Sequence, residues 1–98
     1  MERIVLVTGG FDPLHSGHIA YFKAAKKLGT KLIVGINSDE WLARKKGKHF
    51  MPFHERCSIV EELSVVDQVI GFNDDDDSAC NAIFQALSTH GNIKLIFA

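Results

Sequence analysis

The chain opens with an unbroken apolar run, RIVLV at residues 3–7, whose branched side chains predict a strand buried on both faces. Two glycines and Pro13 break it. Over GHIAYFKAAKKLG the period changes. Ile19, Phe22, Ala25 and Leu28 recur at helical spacing, Lys23, Lys26 and Lys27 fall on the other side, and Gly29 stands where a C-cap glycine belongs. KLIVGI, residues 31–36, predicts a second buried strand, and NSDEWLARKKGK a short helix that frays into a basic loop. After Pro52, FHERCSIVEELSVV carries Ile59, Val60, Leu63 and Val66 and predicts a second firm helix. DQVIGF reads as a third strand. DDDDSACNAIFQALSTHG reads as an acidic helix start, a helix through about Leu87 and a glycine stop, and KLIFA opens a fourth strand.

Strands that alternate with helices require right-handed crossovers and a parallel sheet. The expected fold is therefore a Rossmann-like α/β domain with helices on both sheet faces, a single unit over residues 1–98 with no repeat or linker. Ligands of such sheets bind beyond the carboxyl ends of the strands, where the strand order reverses. The segment TGGFDPLHSGH, Thr8 to His18, follows the first strand and so occupies that edge.

Composition narrows the partners. With 11 Lys and Arg against 12 Asp and Glu the net charge is −1, which gives no global field for nucleic acid or an anionic membrane. No apolar run is long enough to span a bilayer, and the N-terminus lacks the basic and apolar regions of a signal peptide. Cys57 and Cys80 are solitary and suggest neither a zinc site nor a disulfide framework. A cytoplasmic protein is the simplest expectation.

Phosphate chemistry, if present, must then be local. Gly9 and Gly10 let the backbone turn tightly and approach a ligand. A helix starting near Ser16 or Gly17 presents free N–H groups and a dipole that favour an anion. His15 and His18, three apart across its first turn, can face the same side and form a compact donor cluster for phosphate oxygens. Attack on an α-phosphate needs such groups, because charge builds on the transferring group and on the departing pyrophosphate. A Gly-Gly turn alone would be structural, and an HxxH pair lacks the third ligand zinc requires. Asp12 with the two glycines and both histidines at one strand–helix junction favours the functional reading.

Gly9, Gly10, Phe11, Asp12, His15, Gly17 and His18 resemble the GxFDxxHxGH signature of the cytidylyltransferase-like nucleotidyltransferases. GINSDEW resembles that family's second-strand segment, KKGK its basic phosphate loop, and HERCSIVEELSVVDQVIGF its E-R helix with the V-D-x-V-I strand behind it. The resemblance covers nearly the whole chain. It implies that a nucleoside triphosphate, CTP ahead of ATP, is joined to a phosphorylated small polyol or sugar with release of pyrophosphate and Mg²⁺ as helper. It implies that His15 and His18 hold the triphosphate and stabilise the transition state, and that Thr8, Gly9, Gly10, Phe11, Asp12 and Gly17 line the nucleotide. Asp12 would orient the loop or a substrate group, with an Asx-turn before Pro13 as the structural alternative. Lys46 would reach the phosphates, with Lys45 and Lys48 as neighbours that could substitute, against a reading of residues 44–48 as a solvated basic loop. Ser38 and Asp39 would touch the acceptor or cap the next helix. Arg56 would fork onto the acceptor phosphate or pair with a surface carboxylate. Asp67 would hold backbone or subunit contacts, and a homodimer is expected by analogy.

Other residues carry blander expectations. Asp74, Asp75, Asp76 and Asp77 suit a helix start and solvent better than a metal, since calcium loops space their ligands and include a turn glycine. His49, His54 and His90 are expected on loops or helix faces, and Trp41 in packing rather than base stacking. The family continues past a fourth strand with a glycine-aspartate loop and a Ser/Thr segment, whereas this sequence stops at Ala98, so a fragment of a longer chain is expected. A catalytically silent nucleotide-binding module or an interaction subunit is the rival function. Neither GxxxxGK[ST] nor GxGxxG occurs, which disfavours a P-loop kinase and a hydride-transfer enzyme.

Overall fold

The computed structural model describes residues 3–89 and 94–97. The chain runs β1 (Arg3–Gly9), α1 (Ser16–Lys26), β2 (Lys31–Ile36), α2 (Asp39–Lys46), α3 (Phe53–Glu61), β3 (Gln68–Gly71), α4 (Cys80–Thr89) and β4 (Lys94–Phe97). The four strands form one parallel sheet in the order β3-β2-β1-β4, with Val5 opposite Leu32 and Ile96. His90 and the glycine stop at Gly91 lie outside the described residues.

Ile4, Leu6, Val5 and Val7 are all fully buried because both faces of β1 are covered. Val5, Val7, Leu32, Val34 and Ile36 pack beneath α1 and α3 against Phe22, Ala25 and Val60. Ile4, Leu6, Ile33 and Ile70 face Ala82 and Ala86 of α4. The unbroken apolar runs follow from this two-sided burial. From β1 one crossover leads to β2, while β3 returns across the sheet to β4 on the other side of β1. The strand order therefore reverses at β1, and its carboxyl end is the switch point.

Four local expectations are corrected. The C-cap of α1 is Lys27 in right-handed conformation, not Gly29. A Cβ at Gly29 would lie 2.6 Å from the Arg3 carbonyl oxygen, so glycine is needed there for the close passage beneath β1. The second helix does not fray: it continues through Lys46 and stops at Gly47, whose φ of 89° lets its N–H donate to the Ala43 carbonyl at 2.9 Å. In α3 the buried positions are Arg56 and Val60, one turn apart, while Ile59 is exposed. The run of acids does not begin α4, whose first turn has no acidic residue. It forms the connection after β3, where Asp74 is buried.

Candidate functional site

His15 is the N-cap of α1, and the histidine pair forms a capping box. The Nδ1 atom of His15 accepts the Gly17 N–H at 3.0 Å, and that of His18 accepts the His15 N–H at 3.1 Å. The rings stack with centroids 3.9 Å apart. Since both Nδ1 atoms act as acceptors, the neutral rings carry their protons on Nε2, and among the described residues both Nε2–H groups remain available as donors. Burial, then repulsion from His15, lowers the His18 pKa, which keeps the ring neutral at pH 7.

The left-handed residue of the turn is not a glycine but Phe11, at φ 52°. Its ring is buried, meeting His18 edge-on at 5.1 Å and Phe22 at 5.1 Å. Such a backbone costs about 1–3 kcal/mol and is held by the surrounding packing. Gly9 and Gly17 make room for rings: a Cβ would lie 2.8 Å from Phe11 Cζ and 2.8 Å from His15 Cε1 respectively. The glycines thus let the aromatic residues seat, and Phe11 in turn supports His18.

Asp12 orients the following loop. Its carboxylate, 1% exposed, accepts the backbone N–H groups of Phe50 and of Met51, the latter at 2.7 Å. Burial opposes its ionisation, but these two donors and Lys46 outweigh it and hold the pKa below the usual carboxylate value. Lys46 donates to the Asp12 carbonyl at 2.8 Å and stands 3.3 Å from its carboxylate. Of the basic residues 44–48, Lys46 is brought to the histidine segment. Lys45 lies over the Trp41 ring, and Arg44 turns to Asp77.

Arg56 is fully buried. Its Nε donates to the Met51 carbonyl at 3.0 Å, its Nη1 to those of Gly10 and Asn37 at 2.8 and 2.7 Å, and its Nη2 to Asp39 Oδ1 at 2.7 Å. The fork expected on an acceptor phosphate instead clamps the ends of β1 and β2, the start of α2 and the loop before α3. Its partner carboxylate is Asp39, and the guanidinium is inside the protein rather than on its surface. Ser38 caps α2 by accepting the Trp41 N–H at 3.0 Å and donates to Asp74 Oδ1 at 2.7 Å. Asp67 accepts the Leu32 N–H at 2.8 Å and pairs with Lys26, so it holds backbone.

Sequence reasoning missed Asp74 and Asn37. Asp74 accepts the Ser38 N–H and hydroxyl and the Asn37 amide. Burial opposes its ionisation, yet these donors hold its pKa below the ordinary value. Nothing in a run of four aspartates marks the first as the buried one; the only signal is its place just after a strand. Of the expected site residues, Thr8 alone faces a different space. It lines a pocket of about 220 Å³ with Asn37, Trp41, Phe72 and the turn at residues 77–79. Trp41 is therefore a pocket wall rather than core packing alone.

Comparison with known proteins gives the family and the fold. The cytidylyltransferase-like family profile matches residues 6–92, and the chain belongs to that family of nucleotidyltransferases. It is 47% identical over 77 residues to the bifunctional protein HldE of Blochmanniella floridana, and 43% identical over 76 residues to that of Proteus mirabilis. Each match covers 76% of this chain but 16% of the relative. Among solved structures, the lipopolysaccharide core biosynthesis protein of Thermoplasma volcanium superposes with a TM-score of 0.72 at 29% identity, covering 99% of this chain and 96% of that one. A protein of Archaeoglobus fulgidus, at 17% identity and a TM-score of 0.61 over 100% of this chain and 89% of that one, shares the fold.

Proposed function

We propose that this chain transfers a nucleotidyl group from a nucleoside triphosphate to a phosphorylated sugar or polyol. An oxygen of the acceptor phosphate attacks the α-phosphorus, the bond from that phosphorus to the bridging oxygen breaks, and pyrophosphate leaves. The observation that carries this reading is the stacked His15–His18 pair at the start of α1, with both Nδ1 atoms engaged and both Nε2–H groups available. His15 and His18 donate to the triphosphate as charge builds in the transition state. Lys46 adds a cation there, fixed by its bonds to Asp12. Gly9, Gly10, Phe11 and Gly17 shape the surface the nucleotide lies on, whereas Thr8 lines the neighbouring pocket. Asp12, Ser38, Asp39 and Arg56 hold that surface in place.

Among the described residues no three His, Cys, Asp or Glu side chains gather into a metal site. Mg²⁺ fits this chain as an ion carried by phosphate oxygens and water, where it would neutralise the triphosphate. No helix of the described residues is long and apolar enough to cross a membrane. We expect a cytoplasmic protein, and a homodimer by analogy with the family. CTP is the expected nucleotide and ATP the alternative.

The test is pyrophosphate release with CTP or ATP, Mg²⁺ and a panel of sugar and polyol phosphates. Release that depends on both substrates supports transfer. Tight triphosphate binding without release under any pairing makes the chain a nucleotide-binding module instead.

A further inference from the structure

The 220 Å³ pocket lies at the carboxyl ends of β1, β2 and β3, between α2 and the turn that enters α4. None of the groups assigned to the triphosphate, His15, His18 or Lys46, lines it. Its walls are the Trp41 and Phe72 rings, with the polar groups of Thr8, Asn37, Asp77 and Ser78 between them. Among the described residues no lysine, arginine or histidine lines it, and Asp77 does. The carboxylate is already paired with Arg44, so the lining offers a phosphate no unpaired cation. A hydroxylated carbon skeleton fits the same surface, its C–H faces on the rings and its hydroxyls on the polar groups.

Asp77 is held in an unusual way. Its φ is 59°, a left-handed conformation for a residue other than glycine. Its N–H donates to the Asp74 carbonyl at 2.9 Å. Arg44 places Nε and Nη2 on Asp77 Oδ1 at 3.1 and 2.9 Å, and Nη2 also donates to the Asp74 carbonyl at 2.8 Å. Every one of these bonds uses Oδ1 or backbone. Among the described residues nothing donates to Oδ2.

We propose that Arg44 and Asp77 form a specificity device for the acceptor. Arg44 positions the turn, and Asp77 Oδ2 accepts hydroxyls of the uncharged, polyhydroxy part of a sugar or polyol lying against Trp41. The acceptor's phosphate projects out of the pocket towards the histidine side. Arg44, which the sequence groups with a phosphate-binding loop, is thereby a positioning residue for the acceptor and not a phosphate ligand. This inference rests on the transferase reading and specifies its second substrate.

Trp41 is the only tryptophan of the chain, so its indole N–H gives one unambiguous NMR signal. The experiment titrates the protein separately with glycerol 3-phosphate, hexose and heptose phosphates, inorganic phosphate, CTP–Mg²⁺ and ATP–Mg²⁺. The Asp77→Gly variant removes the carboxylate and tolerates the 59° φ without steric cost. At least one sugar or polyol phosphate should shift the indole, and inorganic phosphate should not. Asp77→Gly should weaken that binding about tenfold or more, as expected for a hydrogen bond to a charged group. Arg44→Ala should weaken it less, and the double variant no more than Asp77→Gly, because Arg44 acts through Asp77. Triphosphate affinity, read on the His15 and His18 ring signals, should stay the same in all three. The inference is overturned if no acceptor shifts the indole, if a nucleotide alone shifts it, or if Asp77→Gly binds acceptors like the parent. Failure of the transferase reading looks different: acceptors would still bind at Trp41, but no pairing would release pyrophosphate.

Discussion

Replacing Arg56 by methionine probes the clamp beneath the site. Methionine fills much of the space but leaves the carbonyls of Gly10, Asn37 and Met51 without their donor, and Asp39 without its cation. An unsatisfied buried acceptor costs about 1–3 kcal/mol, although water entering the vacated volume recovers part of it. The Asp39 side chain is 30% exposed, so solvent relieves much of its loss, whereas the guanidinium is 0% exposed and gains nothing from solvent in the parent. The expected destabilisation is about 3–5 kcal/mol, the range found when one partner of a buried pair is removed. For a domain of this size that is a large share of a total stability of about 5–15 kcal/mol. Urea unfolding followed by the Trp41 fluorescence should show the midpoint falling by at least about 1 M with little change in slope. Asp39→Asn should cost distinctly less, because the three carbonyls keep their donor. A methionine variant within about 1 kcal/mol of the parent would refute the reasoning, since burial and four bonds would then count for little.

Ser38→Ala removes a helix cap and a bond to Asp74, and should lower stability by about 1–2 kcal/mol in the same urea assay. Asp12 and Asp74 have folded pKa values below their unfolded ones, so the stability they contribute is present above the ordinary carboxylate pKa and fades as pH falls through the folded values. Unfolding at pH 7, 5 and 3 should therefore show the steepest loss below about pH 4, and Asp74→Asn should flatten that limb. His18 should titrate below 6.5 in an NMR pH series, and His15→Asn should raise its pKa only in part, because burial is the larger cause. By the same linkage, His18 makes the fold less stable as pH drops below the unfolded value of 6.5.

What the sequence made legible follows from chemistry that is local in the chain. The two-sided strands show in RIVLV and KLIVGI, because continuous burial leaves continuous apolar runs. The histidine pair shows because three-residue spacing across a helix start brings rings together. What stayed hidden depends on partners distant in sequence. Arg56 reads as a phosphate fork or a surface ion-pair partner until Gly10, Asn37 and Met51 surround it. The buried face of α3 departs from its apolar pattern for the same reason, since a buried arginine looks polar in any hydropathy pattern. Asp74 and Asp77 share a run of identical residues, yet one closes on Ser38 and the other lines a pocket with Arg44 behind it. Gly29 serves a close passage under Arg3 and not a helix end, a distinction only the neighbouring strand can make.

The central claim is that His15 and His18 stabilise charge on a transferring phosphate. Its most direct measurement is the rate of pyrophosphate release by the parent and by His18→Ala at saturating triphosphate and acceptor. The account predicts turnover by the parent and a loss of about a hundredfold or more in kcat in the variant, the size seen when one preorganised donor to a developing charge is removed. A His18→Ala protein that folds and turns over like the parent would contradict it.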